Sequence, residues 1–208
     1  MPDHESRLDH TNDVGPTDVL QFWIGPEGSS QISNAAKWYA KDDAFDREIE
    51  ARFGNTIELA ARGALDLWKT TPRGRLALVI VLDQFSRNVF RGTPRAFAQD
   101  ARACALAREA IAAGDEAALT TVERSFLYMP LMHAEDVALQ NECVAAFERL
   151  HASAPADLVK FAANGLDYAK RHAVIVERFG HFPHRNQILD RTSTHEELEF
   201  LKQPGSSF

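Results

Sequence analysis

The chain has 208 residues, of which 45% are hydrophobic and 25% charged, with a formal net charge of -7. That length suits one domain with a core large enough to need neither disulfides nor a structural metal. The acidic balance excludes a general nucleic-acid binder, because phosphate binding needs a positive surface.

Residues 1–15 are polar and carry no large apolar cluster, so a disordered N-terminal arm is expected there, without a signal peptide. Thr17 is read as the cap of a first helix holding Val19, Leu20, Phe22 and Trp23, which Gly25-Pro26 stops. Residues 28–33 read as loop. A second helix starts at Asp42 or Asp43, with Phe45, Ile49, Phe53, Ile57 and Ala60 at helical spacing and Gly54 as a candidate bend. Thr71-Pro72 opens the most apolar helix, which runs through residues 76–82 to Arg87. The β-branched Val79, Ile80 and Val81 would also suit a buried strand. The cap, and the lack of a second strand to pair with, favour helix.

Thr93-Pro94 repeats the cap-plus-proline signal before an Ala-rich helix to Ala113, with Gly114 as its stop. Thr121 opens a helix that Pro130 should interrupt. Helices over 134–151 and from Pro155 to Arg178 follow. Ser193 with Glu196 reads as a capping box for a short last helix, and 204–208 as a flexible tail. The fold class is all-α, with eight or nine helices in antiparallel pairs forming a single domain over residues 16–203. The longest apolar run is too short for a bilayer, so no membrane partner is expected. Cys104 and Cys143 lie among apolar helical residues and suit a cytoplasmic protein with reduced thiols; a disulfide between them is the less favoured alternative.

Three polar clusters interrupt this pattern. In the first, Asp83, Gln84, Arg87, Asn88 and Arg91 gather at the end of the apolar helix. Asp83 and Arg87, four residues apart, share a face, so they suit either a structural ion pair or an anion grip. In the second, His133 precedes Glu135 and Asp136, a set suited to general acid–base work or to the start of a helix. His172 gains interest only if the fold brings it near His133. The third is Arg178-Phe179-Gly180-His181-Phe182-Pro183-His184-Arg185-Asn186. Gly180 lets the chain leave a helix, Pro183 fixes the next turn, and Phe179 and Phe182 anchor it. His181, His184, Arg185 and Asn186 remain as a ligand clamp, or as partners for the carbonyls of neighbouring helix ends. Two loop histidines make no metal site without further ligands, HExxH is absent, and no phosphate-loop or dinucleotide motif names a cofactor.

These stretches resemble the bacterial family called domain of unknown function 924. The matching segments are Phe22-Trp23, Lys37-Trp38-Tyr39, Phe45-Asp46, the run from Leu82 to Asn88 with Arg91-Gly92-Thr93, the run from Met129 to Asp136, and the run from Arg178 to Asn186 with Ser193-Thr194. His181 stands where that family pattern has arginine, which argues against a metal ligand. The resemblance implies an all-helical fold similar to tetratricopeptide-repeat proteins, a right-handed array of helix pairs, and no particular activity.

The leading expectation is a binding protein for a small anionic ligand or a peptide. Asp83, Gln84, Arg87, Asn88, Arg91, Arg178, His184, Arg185 and Asn186 would line its pocket. One alternative is a hydrolase-type enzyme using His133 or His172 beside Glu135 or Asp136. The other is an interaction scaffold in which the motifs only lock helices together. The oligomeric state is not legible.

Overall fold

The computed structural model describes residues 14–26, 30–38 and 40–207. The expected arm over 1–13, loop residues 27–29, Tyr39 and Phe208 lie outside them. Among the described residues there are nine helices and no strand, with residues 72–89 counted as one helix. The segments are α1 (Pro16–Trp23), α2 (Ala35–Trp38), α3 (Asp43–Ala61), α4 (Pro72–Ile80), α5 (Ser86–Val89), α6 (Asp100–Ala113), α7 (Thr121–Met132), α8 (Val137–Ala152), α9 (Val159–Phe179) and α10 (His195–Phe200).

The helix alternative for residues 76–82 holds. Thr71 Oγ1 accepts from Gly74 N at 3.1 Å, and Pro72 supplies the first helical residue. Leu76 through Leu82 are all buried, because α4 packs against α1, α6 and α7 at once. A helix wrapped this way has no polar face to keep. Between α4 and α5 the helix widens into a π turn, Val81–Phe85, which carries Asp83 and Gln84. Such single π turns re-aim side chains and recur at functional sites.

Trp23 lies at the aromatic centre of the core. Its ring centroid lies 5.5 Å from that of Phe85, 5.8 Å from Phe126 and 6.0 Å from Phe45. Trp38 donates its indole N–H to the Trp23 carbonyl at 2.7 Å, which ties α2 to the end of α1. Further along, the short turn between α8 and α9 folds them back to back, and α7 packs on α8.

Several sequence boundaries move. Gly15, not Thr17, caps α1, with Pro16 at the first helical position. Gly54 leaves α3 unbroken. Pro94 opens only a short 3₁₀ turn, and α6 begins later, at Asp100. Thr120, whose Oγ1 accepts from Glu123 N, caps α7. Pro130 does not interrupt α7, which continues to Met132. Gln140 Nε2 gathers the loose carbonyls at its end, those of Met132 and Ala134, at 2.7 Å each. α9 starts at Val159 rather than at Pro155. The capping box of α10 is Thr194 with Glu197, because the Ser193 hydroxyl is taken by Asn186 Nδ2 at 3.1 Å. At the C-terminal side, Ser206 is buried and bonds the Leu201 carbonyl.

Gly74 follows the Thr71 cap, where a Cβ would run into the Trp68 carbonyl oxygen and lie 2.8 Å from Thr71 Oγ1. Backbone cannot yield as a flexible side chain does. Gly74→Ala is therefore expected to destabilise the protein by about 1–3 kcal/mol, read as a lower urea midpoint with an unchanged m-value.

Candidate functional site

Asp83 is fully buried in the π turn, where a bare carboxylate would be intolerable. Three side chains satisfy it. Arg87, one turn on, approaches Oδ1 at 2.8 Å. His133, the C-cap of α7, sets Nδ1 at 2.7 Å from the same oxygen. Gln84 donates to Oδ2 at 2.5 Å. Burial alone would raise the Asp83 pKa, but Arg87, His133 and the Gln84 hydrogen bond hold it far below the ordinary carboxylate range.

The network continues outward. Arg87 also reaches Asp100 Oδ2 at 3.0 Å, at the start of α6. Arg185 bonds the same oxygen at 3.2 Å, donates to the His133 carbonyl at 3.0 Å, and lies between the rings of Phe97 and Phe182, 4.6 Å from each. Glu135 accepts from Arg191 Nη1 and Nη2, at 2.8 and 2.9 Å, and from the Phe182 N–H at 2.9 Å. Burial opposes ionisation of Glu135, but Arg191 and Phe182 together with Arg185 keep its pKa below the ordinary value. Gly180, at φ 75°, lets the chain turn out of α9 into this position.

Three histidines sit against this network. Burial, followed by Arg87, lowers the His133 pKa from 6.5 although Asp83 opposes the shift. His172 packs 6.2 Å from His133 and 5.5 Å from Phe182, ring to ring, and its Nδ1 lies 2.7 Å from the Tyr168 carbonyl. That carbonyl can only accept, so Nδ1 carries the proton. Burial, with His133 second, pulls the His172 pKa down to about 3. His184 lies beside Phe182, and burial and Arg185 pull it to about 4. Burial pulls Arg185 to about 10, so it stays charged at neutral pH.

His133, Glu135, Asp100 and Arg185 face a groove of about 580 Å³ between α6 and the start of α8. This volume is in the range of small-molecule sites. His133 Nε2 makes no hydrogen bond among the described residues, while Nδ1 is fixed by Asp83.

The polar clusters thus divide. Asp83, Gln84, Arg87, His133, Glu135, His172, His184 and Arg185 come together at or behind the groove. Asn88 and Arg91 point the other way, onto Asp46 of α3 at 2.7 and 2.9 Å, and fasten α5 to α3. Arg178 is half exposed, bonded to Glu196 of α10 and stacked over Phe179. Asn186 is buried and braces the loop through Ser193. His133 and Asp136 do not share a helix face, since Asp136 is the N-cap of α8 and bonds Leu139 N at 2.9 Å. His181 pairs with Glu197 at 2.6 Å, and no group of three metal-ligating side chains occurs among the described residues. Cys104 and Cys143 are both free thiols. Asp100 and Arg191 were not singled out by sequence. Asp100 looks like any first-turn acid, and Arg191 lies in a segment with no periodic pattern.

The sequence matches DUF924, described as bacterial protein of unknown function, over residues 19–205. The chain belongs to this family. A solved structure of a protein of unknown function from Agrobacterium tumefaciens is 38% identical, with a TM-score of 0.78 over 90% of this chain and 96% of that one. No curated protein matches. Among the described residues of this DUF924 member, no helix is long and apolar enough to cross a membrane.

The buried histidines make acid stability a direct readout. His172 and His184 titrate near 6.5 when unfolded but near 3 and 4 when folded, so between these values the unfolded chain binds more protons. Their contribution should be constant from pH 6.5 to pH 8 and should fall as pH drops below 6.5. The slope for each histidine should approach about 1.4 kcal/mol per pH unit. Urea midpoints measured from pH 8 to pH 4 should follow this course, and His172→Asn should flatten it.

Proposed function

We propose that the groove is an acid–base site of hydrolase type, with His133 as the base and Asp83 as the group that orients it. The observation that carries this reading is the 2.7 Å contact between His133 Nδ1 and the buried Asp83 carboxylate at the groove wall. Asp83 keeps the proton on Nδ1 and leaves Nε2 as the acceptor, the same division of labour as in other carboxylate–histidine pairs. Its lowered pKa keeps His133 neutral, and so competent as a base, at neutral pH.

In the reaction, water attacks an electrophilic carbon while His133 Nε2 takes one of its protons. The bond to the leaving group then breaks, and the proton passes from Nε2 to that group. His172 packs behind the His133 ring, and Arg185 fixes the His133 carbonyl, so both position the base. Glu135 is committed to Arg191 and to the Phe182 N–H and acts as a strut.

The charge balance argues against a small anion as the ligand. Arg87, Arg185 and Arg191 face Asp83, Asp100 and Glu135, and every one of these arginines is paired. A further anion would have to displace a carboxylate. The scaffold reading suits Asn88, Arg91 and Arg178, whose partners all hold helices together. The pairing of α7, α8 and α9 supports a tetratricopeptide-like array, and the free thiols support a cytoplasmic setting.

A panel of chromogenic esters and amides tests the reading. His133→Gln is expected to lower kcat/KM at least about 100-fold when assayed well below its Tm, which should itself fall because the buried Asp83 loses a partner. The acid limb of wild-type kcat/KM is expected below pH 6.5, because the His133 pKa is lowered from that value. Turnover that survives His133→Gln would overturn the assignment.

A further inference from the structure

We infer that the groove takes an uncharged amphipathic acyl compound lengthwise, its carbonyl at His133 and its apolar arm along α6. This rests on the acid–base reading for the placement of the carbonyl, and on the groove itself for the arm.

The two ends of the groove differ in chemistry. At one end stand His133, Asp100 and Arg185, the polar network already described. At the other end Arg108 of α6 meets Glu142 of α8 at 3.1 Å and bridges the two helices. Arg108 lies two turns along α6 from Asp100, so the groove floor is about 12 Å long at 1.5 Å per residue. Between the ends the floor is apolar. Ala101 and Ala105 repeat every four residues on the same face of α6 and are exposed to the groove. Leu139 and Leu189, both partly exposed, form its walls.

Side-chain size sets this shape. An alanine at 101 and at 105 keeps the groove floor low, where a longer side chain would rise into the groove. Cys104 also borders the groove, but burial pushes its thiol up to about 11, so it stays protonated and acts as apolar lining. An apolar floor two turns long suits an aliphatic arm better than a peptide chain, whose polar backbone would find few partners on Ala101, Ala105, Leu139 and Leu189. An anionic head group is disfavoured, because the arginines at the polar end already carry their carboxylates, and a cationic one would meet Arg185 there.

Calorimetric titration with octanamide, acetamide and octanoate separates the parts of this inference. Octanamide is expected to bind at least tenfold more tightly than acetamide and at least tenfold more tightly than octanoate. Ala105→Leu, on the exposed face of α6, is expected to remove the advantage of octanamide over acetamide. Failure of octanamide to bind, equal binding to the Ala105→Leu variant, or a preference for octanoate would each overturn the inference. The catalytic reading fails separately. If octanamide binding depends on Ala105 while ester turnover is indifferent to His133→Gln, the groove stands and the base assignment falls. If turnover needs His133 but octanamide binding ignores Ala105→Leu, the reverse holds.

Discussion

A carboxylate with no water around it dominates this protein. Asp83 sits in the middle of the most apolar helix, at zero exposure, and a buried ion must be paired or it will not stay ionised. Each partner it recruits needs partners of its own. Arg87 brings in Asp100, Asp100 brings in Arg185, and Arg185 reaches the end of α7 and the loop after α9. One desolvated charge thus links the π turn with α6, α7 and the C-terminal loop. Double-mutant cycles are the appropriate measure of such a chain, since removing any single member strands another.

The same network orders the wall of the groove. His133 is held on three sides, by Asp83 at Nδ1, by Arg185 at its carbonyl and by the His172 ring. A side chain fixed in this way loses little freedom when a ligand arrives. Arg87, Arg185 and Arg191 pair with Asp83, Asp100 and Glu135 within the protein. Their number matches the carboxylates around them, which turns a charged-looking site into one that is electrically balanced. Burial disfavours the charged form of His133 and His184, and Arg87 and Arg185 beside them add to the effect.

Much of the fold was legible because helical signals are local. The Thr71-Pro72 start, the Asp42 cap and the Gly180 exit each depend on a few neighbouring residues. The misplaced boundaries came from competition between neighbours with similar chemistry. Ser193 and Thr194 can both cap a helix, and only the demand of Asn186 for the Ser193 hydroxyl selects Thr194. Pro130 reads as a break because it lacks an N–H, yet α7 continues past it and Gln140 from the next helix closes its end. The site was half legible. Asp83 with Arg87 followed from helical spacing, whereas the tie between Asp83 and His133 spans fifty residues and no spacing rule reaches that far.

By itself the sequence determined the all-helical class, the apolar helix at the centre and the residues rich enough in chemistry to matter. These follow from periodicity, capping and composition, which act over one or two helical turns. Tertiary structure alone decided which of those residues share a site. It sent Asn88, Arg91 and Arg178 to hold other helices, brought Asp100 and Arg191 into the network, and set a neutral histidine against a buried carboxylate. The reason is that a buried charge is satisfied by whatever partner the packing delivers, and packing is a property of the whole chain.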